Sequence, residues 1–152
     1  MKQPVVSVVL KYALYAAFAA GFIVAATLPF MLDYYVLVIQ GHTSINPQYR
    51  AFIVPFLMLT AIPCLWIVAE MILMLRSIPA GPFVVRNVRA LYRTGILFLA
   101  LSAAFVFKCF AFFTFLTLLC TLLFIGGGLF SFTFAALIRQ SVAFREENDL
   151  TI

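Results

Sequence analysis

The sequence predicts an all-α membrane protein with four transmembrane helices and with both termini in the cytoplasm. Of its 152 residues, 66% are hydrophobic and only 10% are charged, whereas soluble domains carry roughly one quarter charged residues. The apolar residues form long runs, each close to the roughly 20 residues that a spanning helix needs. Basic residues concentrate in alternate connections, as cytoplasmic loops do. One side carries Lys2, Lys11, Arg76, Arg86, Arg89, Arg93, Arg139 and Arg145, and the other carries Arg50 and Lys108.

The first predicted helix spans about residues 9–32. It is longer than the apolar core of a signal peptide, so we expect it to be retained. Small residues recur at every fourth position and share one face, where two helix backbones can approach closely. We expect this face to pack against another helix of the same chain, and a seam between two copies is the alternative. The face comprises Ala13, Ala17, Gly21 and Ala25.

The second predicted helix spans about residues 51–75 and contains Glu70, the only acidic residue inside a predicted span. An ionisable side chain at this depth is a candidate functional residue, because burying a charge in the bilayer is costly. It would serve as a proton carrier, a cation site or a receptor for a basic substrate. The structural alternatives are snorkelling to the nearby membrane surface or an ion pair with Lys11, Arg76 or Arg93.

A short amphipathic segment leads into the third predicted helix, at about residues 84–107. Its apolar face predicts that the segment lies at the inner membrane surface. At the other end of the helix, we expect the long side chain of Lys108 to snorkel outward. The apolar face carries Val84, Val88 and Leu91, and the basic face carries Arg86, Arg89 and Arg93.

The fourth predicted helix spans about residues 113–138, after a turn within residues 107–113. A run of three glycines near its centre disfavours a helix in water by about 1 kcal/mol each, and its usual role in a membrane is close helix packing. We expect this run to pack against the small face of helix one, with a hinge as the alternative. The run comprises Gly126, Gly127 and Gly128. A polar tail, residues 139–152, follows the helix and ends acidic.

The composition excludes several kinds of site. No catalytic or cofactor motif is present, and we expect no metal site, because the cysteines Cys64, Cys109 and Cys120 lack CxxC spacing and His42 is the only histidine. The net charge of +5 is explained by membrane topology and by attraction to anionic lipid. We therefore expect membrane lipid as a partner and no direct nucleic-acid binding.

Two motifs resemble those of a bacterial family of four-helix membrane proteins of unknown function (DUF2975-like). The first is Gly81-Pro82-Phe83 followed by Asn87, Leu91 and Gly95, and the second is the chain end, Glu146-Glu147-Asn148-Asp149-Leu150-Thr151-Ile152. The resemblance covers the whole chain and implies a multi-pass protein of the bacterial cytoplasmic membrane. It also implies a neighbouring gene for a small helix-turn-helix regulator, and hence a DNA-binding protein as partner.

We expect a non-enzymatic membrane regulator or anchor that docks a small cytoplasmic protein. The basic segment before helix three and the acidic tail carry complementary charges, which either pair with each other or bind a partner. The alternatives are a small oligomeric transporter or channel that uses Glu70, and an immunity protein against a membrane-active peptide. The candidate docking residues are Arg86, Asn87, Arg89, Arg93, Glu146, Glu147, Asn148 and Asp149.

Overall fold

The computed structural model describes residues 5–34, 46–77 and 85–149, and it describes the side chains of residues 8–32, 34, 46–76 and 85–144. These residues form four α-helices, each long and apolar enough to cross a membrane. The chain is thus an all-helical, multi-pass membrane protein. The helices are α1 (Val5–Tyr34), α2 (Pro47–Ser77), α3 (Val85–Ala111) and α4 (Phe115–Asp149).

The fourth helix departs most from the prediction. It continues past residue 138 through the segment predicted as a polar tail and ends at Asp149. The turn before it occupies residues 112–114, at the edge of the predicted interval. The backbone N–H of Phe112 donates to the carbonyl of Lys108 across 2.8 Å, and that of Thr117 donates to the carbonyl of Thr114 across 2.9 Å. These bonds end one helix and begin the next without a glycine or proline.

The helices pack as an antiparallel row in which each contacts its neighbour in sequence. Within the described residues, the backbones of α1 and α4 do not approach each other closely, but Leu10 and Leu14 of α1 and Ile138 of α4 line one cavity of about 270 Å³ near the start of α1. The antiparallel order places the start of α1 and the end of α4 at one end, called here the basic end. The basic end carries Arg76, Arg86, Arg89, Arg93 and Arg139.

The α3–α4 contact is the most extensive, and glycines create it. A Cβ atom at Gly128 would lie 3.1 Å from Leu99 Cδ2 and 3.4 Å from the carbonyl oxygen of Gly95, and one at Gly127 would lie 3.3 Å from the ring of Phe98. A Cβ atom at Gly126 would meet nothing within 4 Å. The predicted packing of this run against helix one is therefore wrong. The short turn makes α3 the partner of α4, while α1 lies on the far side of α2.

The small face of α1 packs against α2. A Cβ atom at Gly21 would lie 3.2 Å from Leu65 Cδ2, and Ala17, Gly21 and Ala25 line a cavity of about 230 Å³ shared with Ala61 and Leu65. Gly21 and Ala25 thus contribute to the α1–α2 contact, whereas Ala13 and Ala17 are exposed, so the packing of the whole face within one chain stays a prediction.

Aromatic rings join α2, α3 and α4 at the end opposite the basic end. The ring centroids of Tyr49 and Phe112 lie 5.2 Å apart, those of Phe56 and Phe105 lie 5.3 Å apart, and those of Phe105 and Phe124 lie 5.1 Å apart. All three pairs are edge-to-face, the arrangement that the ring quadrupoles favour. This chain of rings holds the three helices together, so the charged groups of the basic end sit on a packed framework.

Candidate functional site

Glu70 lies in α2 near the basic end and is only 4% exposed. Its carboxylate accepts a hydrogen bond from Trp66 Nε1, one turn earlier on the same helix, across 3.3 Å. It also accepts one from Arg93 Nη2 of α3 across 3.1 Å. Both carboxylate oxygens therefore have a donor, which is how a buried charge is tolerated in a low-dielectric site.

An ion pair with Arg93 is one of the structural alternatives to a functional role that the sequence leaves open for Glu70. Arg93 approaches from α3 and keeps its side chain 59% exposed, whereas that of Glu70 is 5% exposed. The guanidinium thus connects a buried carboxylate to the surface of the basic end. Of the three partners considered from the sequence, Arg93 is the one in contact.

A second arginine joins α1 to α2. The Nε and Nη2 atoms of Arg76 both donate to the hydroxyl oxygen of Tyr15, with Nε at 2.9 Å. The guanidinium carbon also lies 5.6 Å from the centre of the Tyr15 ring, within the range of a cation–π contact. This pair is thus a polar link between α1 and α2 at the basic end, where Leu10 and Leu14 of α1 also line a cavity shared with the other helices.

The remaining described arginines of the basic end are exposed. Arg86, Arg89 and Arg139 make no hydrogen bond or ion pair with any side chain that the structure describes. Asn87 behaves differently from the neighbouring candidates, since it is only 4% exposed. Its side chain is therefore buried, which argues against the predicted role of Asn87 in docking a partner.

Arg89 and Arg139 line one groove between the start of α3 and the last turns of α4. The groove has a volume of about 360 Å³, and a second depression of about 330 Å³ adjoins it beside Tyr92 and Arg139. Two cationic side chains from different helices thus line the same groove together with apolar side chains. The groove is lined by Val85, Val88, Arg89, Tyr92, Arg139, Val142 and Ala143.

The floor of this groove is positioned by the α3–α4 contact. The ring of Tyr92 lies 5.7 Å from that of Phe132, and Phe132 lies over Gly95, where a Cβ atom would approach its ring to 2.9 Å. One residue earlier, Ser131 Oγ donates to the carbonyl of Leu91 across 2.8 Å. Because Gly95 has no side chain, the Phe132 ring can lie against α3 and contact the ring of Tyr92.

The acidic candidates lie on the last turns of α4. The backbone of Glu146, Glu147, Asn148 and Asp149 is helical, and their side chains lie outside those that the structure describes. Their pairing with the basic segment therefore stays a prediction. These residues lie on the same continuous helix as Arg139.

Lys108 does not snorkel outward as expected. It is only 8% exposed, and its Nζ donates to Thr117 Oγ1 of α4 across 2.7 Å. Thr117 lies opposite because the short turn brings the first turn of α4 beside the last turn of α3. The ammonium is thus held inside the α3–α4 contact.

The described residues contain no group of three His, Cys, Asp or Glu side chains that could hold a metal ion. The three cysteines are free thiols and partly buried. Glu70 shares its site with an arginine and a tryptophan, neither of which is a metal ligand of the usual kind.

Sequence reasoning missed Trp66, Tyr15, Tyr92 and Arg139 as members of these sites. Trp66 and Glu70 are spaced i and i+4, so that neighbouring turns bring them together, and this signal was available. The other three meet their partners across helices, and only the register of the packed helices reveals them.

No family model, curated protein or solved structure matches the chain. The resemblance drawn from the two sequence motifs therefore stays a prediction, and the site must be interpreted from its own geometry.

Proposed function

We propose that this chain is a non-enzymatic regulator or anchor of the bacterial cytoplasmic membrane that docks a small cytoplasmic protein at its basic end. The helix-turn-helix regulator implied by the sequence resemblance is the proposed partner. In this proposal the basic end faces the cytoplasm, in agreement with the preference of basic residues for that side.

The length of α4 carries the proposal. Its 35 residues correspond to about 52 Å of helix, whereas the hydrocarbon core of a bilayer is roughly 30 Å thick. Because α4 starts at the short turn opposite the basic end, the excess of about 20 Å extends beyond the bilayer at the basic end. This protruding segment contains Glu146, Glu147 and Asp149, and it is called here the α4 arm (residues 139–149).

The arm and the exposed arginines offer a docking surface of mixed charge. Arg86 and Arg89 are exposed at the start of α3, beside the arm. Complementary charges of this kind favour specificity and fast association more than raw affinity. A small regulator held here would be removed from DNA, so docking would change the expression of its target genes.

Cross-linked purification from native membranes tests this proposal. The intact chain is compared with a chain that lacks residues 145–152 and with one that carries E146Q, E147Q and D149N. We expect a small helix-turn-helix protein with the intact chain alone, and purified components should then reproduce that binding. Equal recovery of the same proteins from all three chains would refute docking through the arm.

A transporter that uses Glu70 is the second candidate function, and the ion pair makes it the weaker one. A coupling carboxylate must release its partner to bind a proton or cation, whereas both oxygens of Glu70 are occupied. Liposomes that contain the Glu70→Gln variant separate the two roles. Loss of an ion or proton flux that the unmodified chain supports would favour transport.

A further inference from the structure

We propose that the groove between α3 and the α4 arm binds the phosphate headgroup of an anionic membrane lipid. The site consists of Arg89, Tyr92 and Arg139, with Val85, Val88 and Val142 as its apolar wall. It shares Arg89 and Arg139 with the proposed docking surface, but it requires only the chain and a bilayer, so it is tested without a protein partner.

The charges of the groove define the ligand. Arg89 and Arg139 come from different helices, line the same space, and have no ion-pair partner among the described side chains. Among the side chains that the structure describes, no carboxylate lines the groove. A guanidinium presents several N–H donors in a planar fork that matches two phosphate oxygens, and two such groups suit a single phosphate group.

The contrast with the other arginines supports this assignment. Arg76 is bound to Tyr15 and Arg93 is bound to Glu70, so these two cations are already used within the fold. Arg89 and Arg139, in contrast, line the same groove and form no ion pair with a described side chain. Their arrangement is explained by a ligand from outside the chain.

The position of the groove favours a lipid over a soluble phosphate. Tyr92 lies at its floor, as interfacial aromatic residues do at the headgroup level. Ile96, one turn further on the same face of α3, is exposed and apolar. A lipid whose phosphate binds the arginines would therefore lay its glycerol against the valines and its acyl chains along α3. A soluble phosphate has no apolar group that could contact these valines.

Native mass spectrometry of the full chain with dioleoyl phosphatidylglycerol and dioleoyl phosphatidylcholine tests the site. We expect the unmodified chain to retain the anionic lipid preferentially. Since each basic residue near the surface contributes a factor of about five in affinity, R89Q/R139Q should retain about 25-fold less. R86Q is the matched control, because Arg86 is also exposed at the same end but does not line the groove.

Four outcomes would overturn the proposal. An equal loss in R86Q would indicate attraction to the whole basic end, and unchanged retention in R89Q/R139Q would remove the groove from lipid binding. Displacement of the lipid by inorganic phosphate at equal concentration would show that a free phosphate is the ligand. A severalfold rise in lipid retention after deletion of residues 145–152 would assign the groove to the chain's own acidic end. R139Q alone, which alters one exposed side chain, repeats the measurement where the double variant does not fold.

Discussion

Arg93 donates to Glu70 across 3.1 Å, and the two side chains differ in exposure, at 59% and 5%. The consequence is an asymmetry between the partners. Removal of Arg93 leaves a buried carboxylate with only the Trp66 donor, whereas removal of the Glu70 charge leaves a guanidinium that water already reaches. Breaking a buried pair is costly chiefly when the group left behind cannot be solvated.

Arg93→Gln should therefore destabilise the protein more than Glu70→Met. We expect a loss of about 1–3 kcal/mol for Arg93→Gln, the cost of leaving a buried group short of a partner, and a smaller loss for Glu70→Met, which leaves only Trp66 and Arg93, both exposed to water, without their acceptor. Chemical unfolding in detergent, followed by circular dichroism, measures both. Arg89→Gln is the control and should change the stability by less than about 0.5 kcal/mol. Equal losses for the two partners would contradict the asymmetry.

Alanine at Gly128 should be harmful, whereas alanine at Gly126 should be harmless. The new methyl at Gly128 would lie 3.1 Å from Leu99 Cδ2 and 3.2 Å from Leu99 Cγ, with the carbonyl oxygen of Gly95 in contact at 3.4 Å; because Leu99 must shift, we expect a loss of about 1 kcal/mol. The methyl at Gly126 meets nothing within 4 Å, and better helix propensity should leave stability unchanged or raise it by up to about 1 kcal/mol.

Unfolding midpoints of the two glycine variants decide between packing and hinging. If the run acted as a hinge, both substitutions would stiffen it similarly. The packing account requires them to differ in sign or at least clearly in size.

Thr117→Val should destabilise the protein through Lys108. The variant removes the oxygen that accepts from the buried ammonium, and we expect a loss of about 1–3 kcal/mol. Lys108→Met replaces the cation with an apolar chain of similar volume, and such replacements are often neutral or stabilising. A double-mutant cycle measured by thermal unfolding checks the pair. Thr117→Val should cost little in the Lys108→Met background, and an undiminished cost there would show that the threonine acts by packing alone.

The sequence predicts the four spans because a bilayer imposes length and hydropathy on each helix independently of the others. It does not predict which helices touch. The small face of α1 and the glycines of α4 look complementary, yet Gly128 packs on Gly95 and Leu99 of α3, since the short turn brings those helices together first. For the same reason, the sequence identifies Glu70 as exceptional but leaves its partner open.

The groove between α3 and α4 is also not predictable from the sequence. The sequence predicts Arg139 in a polar tail, because its neighbours are polar and the apolar run ends just before it. The helix continues instead, and only the register of α3 against α4 brings Arg139 beside Arg89. A long-range pairing of this kind depends on the turn geometry and on the glycine contacts, which no local pattern encodes.

Tyr15→Phe should loosen the basic end of α1 without unfolding the protein. The variant keeps the ring under Arg76 but removes the hydroxyl oxygen to which two guanidinium nitrogens donate. Hydrogen bonds to a charged group contribute about 1.5–3 kcal/mol when shielded, and this pair is exposed, so we expect a loss below about 1 kcal/mol. The larger effect should be on the position of α1, because within the described residues its backbone closely approaches that of α2 alone. Spin labels placed near the start of α1 and the end of α2 should show a broader distance distribution in Tyr15→Phe.

Tyr12→Phe is the control, because it changes an exposed tyrosine of the same helix, and it should leave the distance distribution unchanged. Equal broadening in both variants would show that Arg76 does not hold α1.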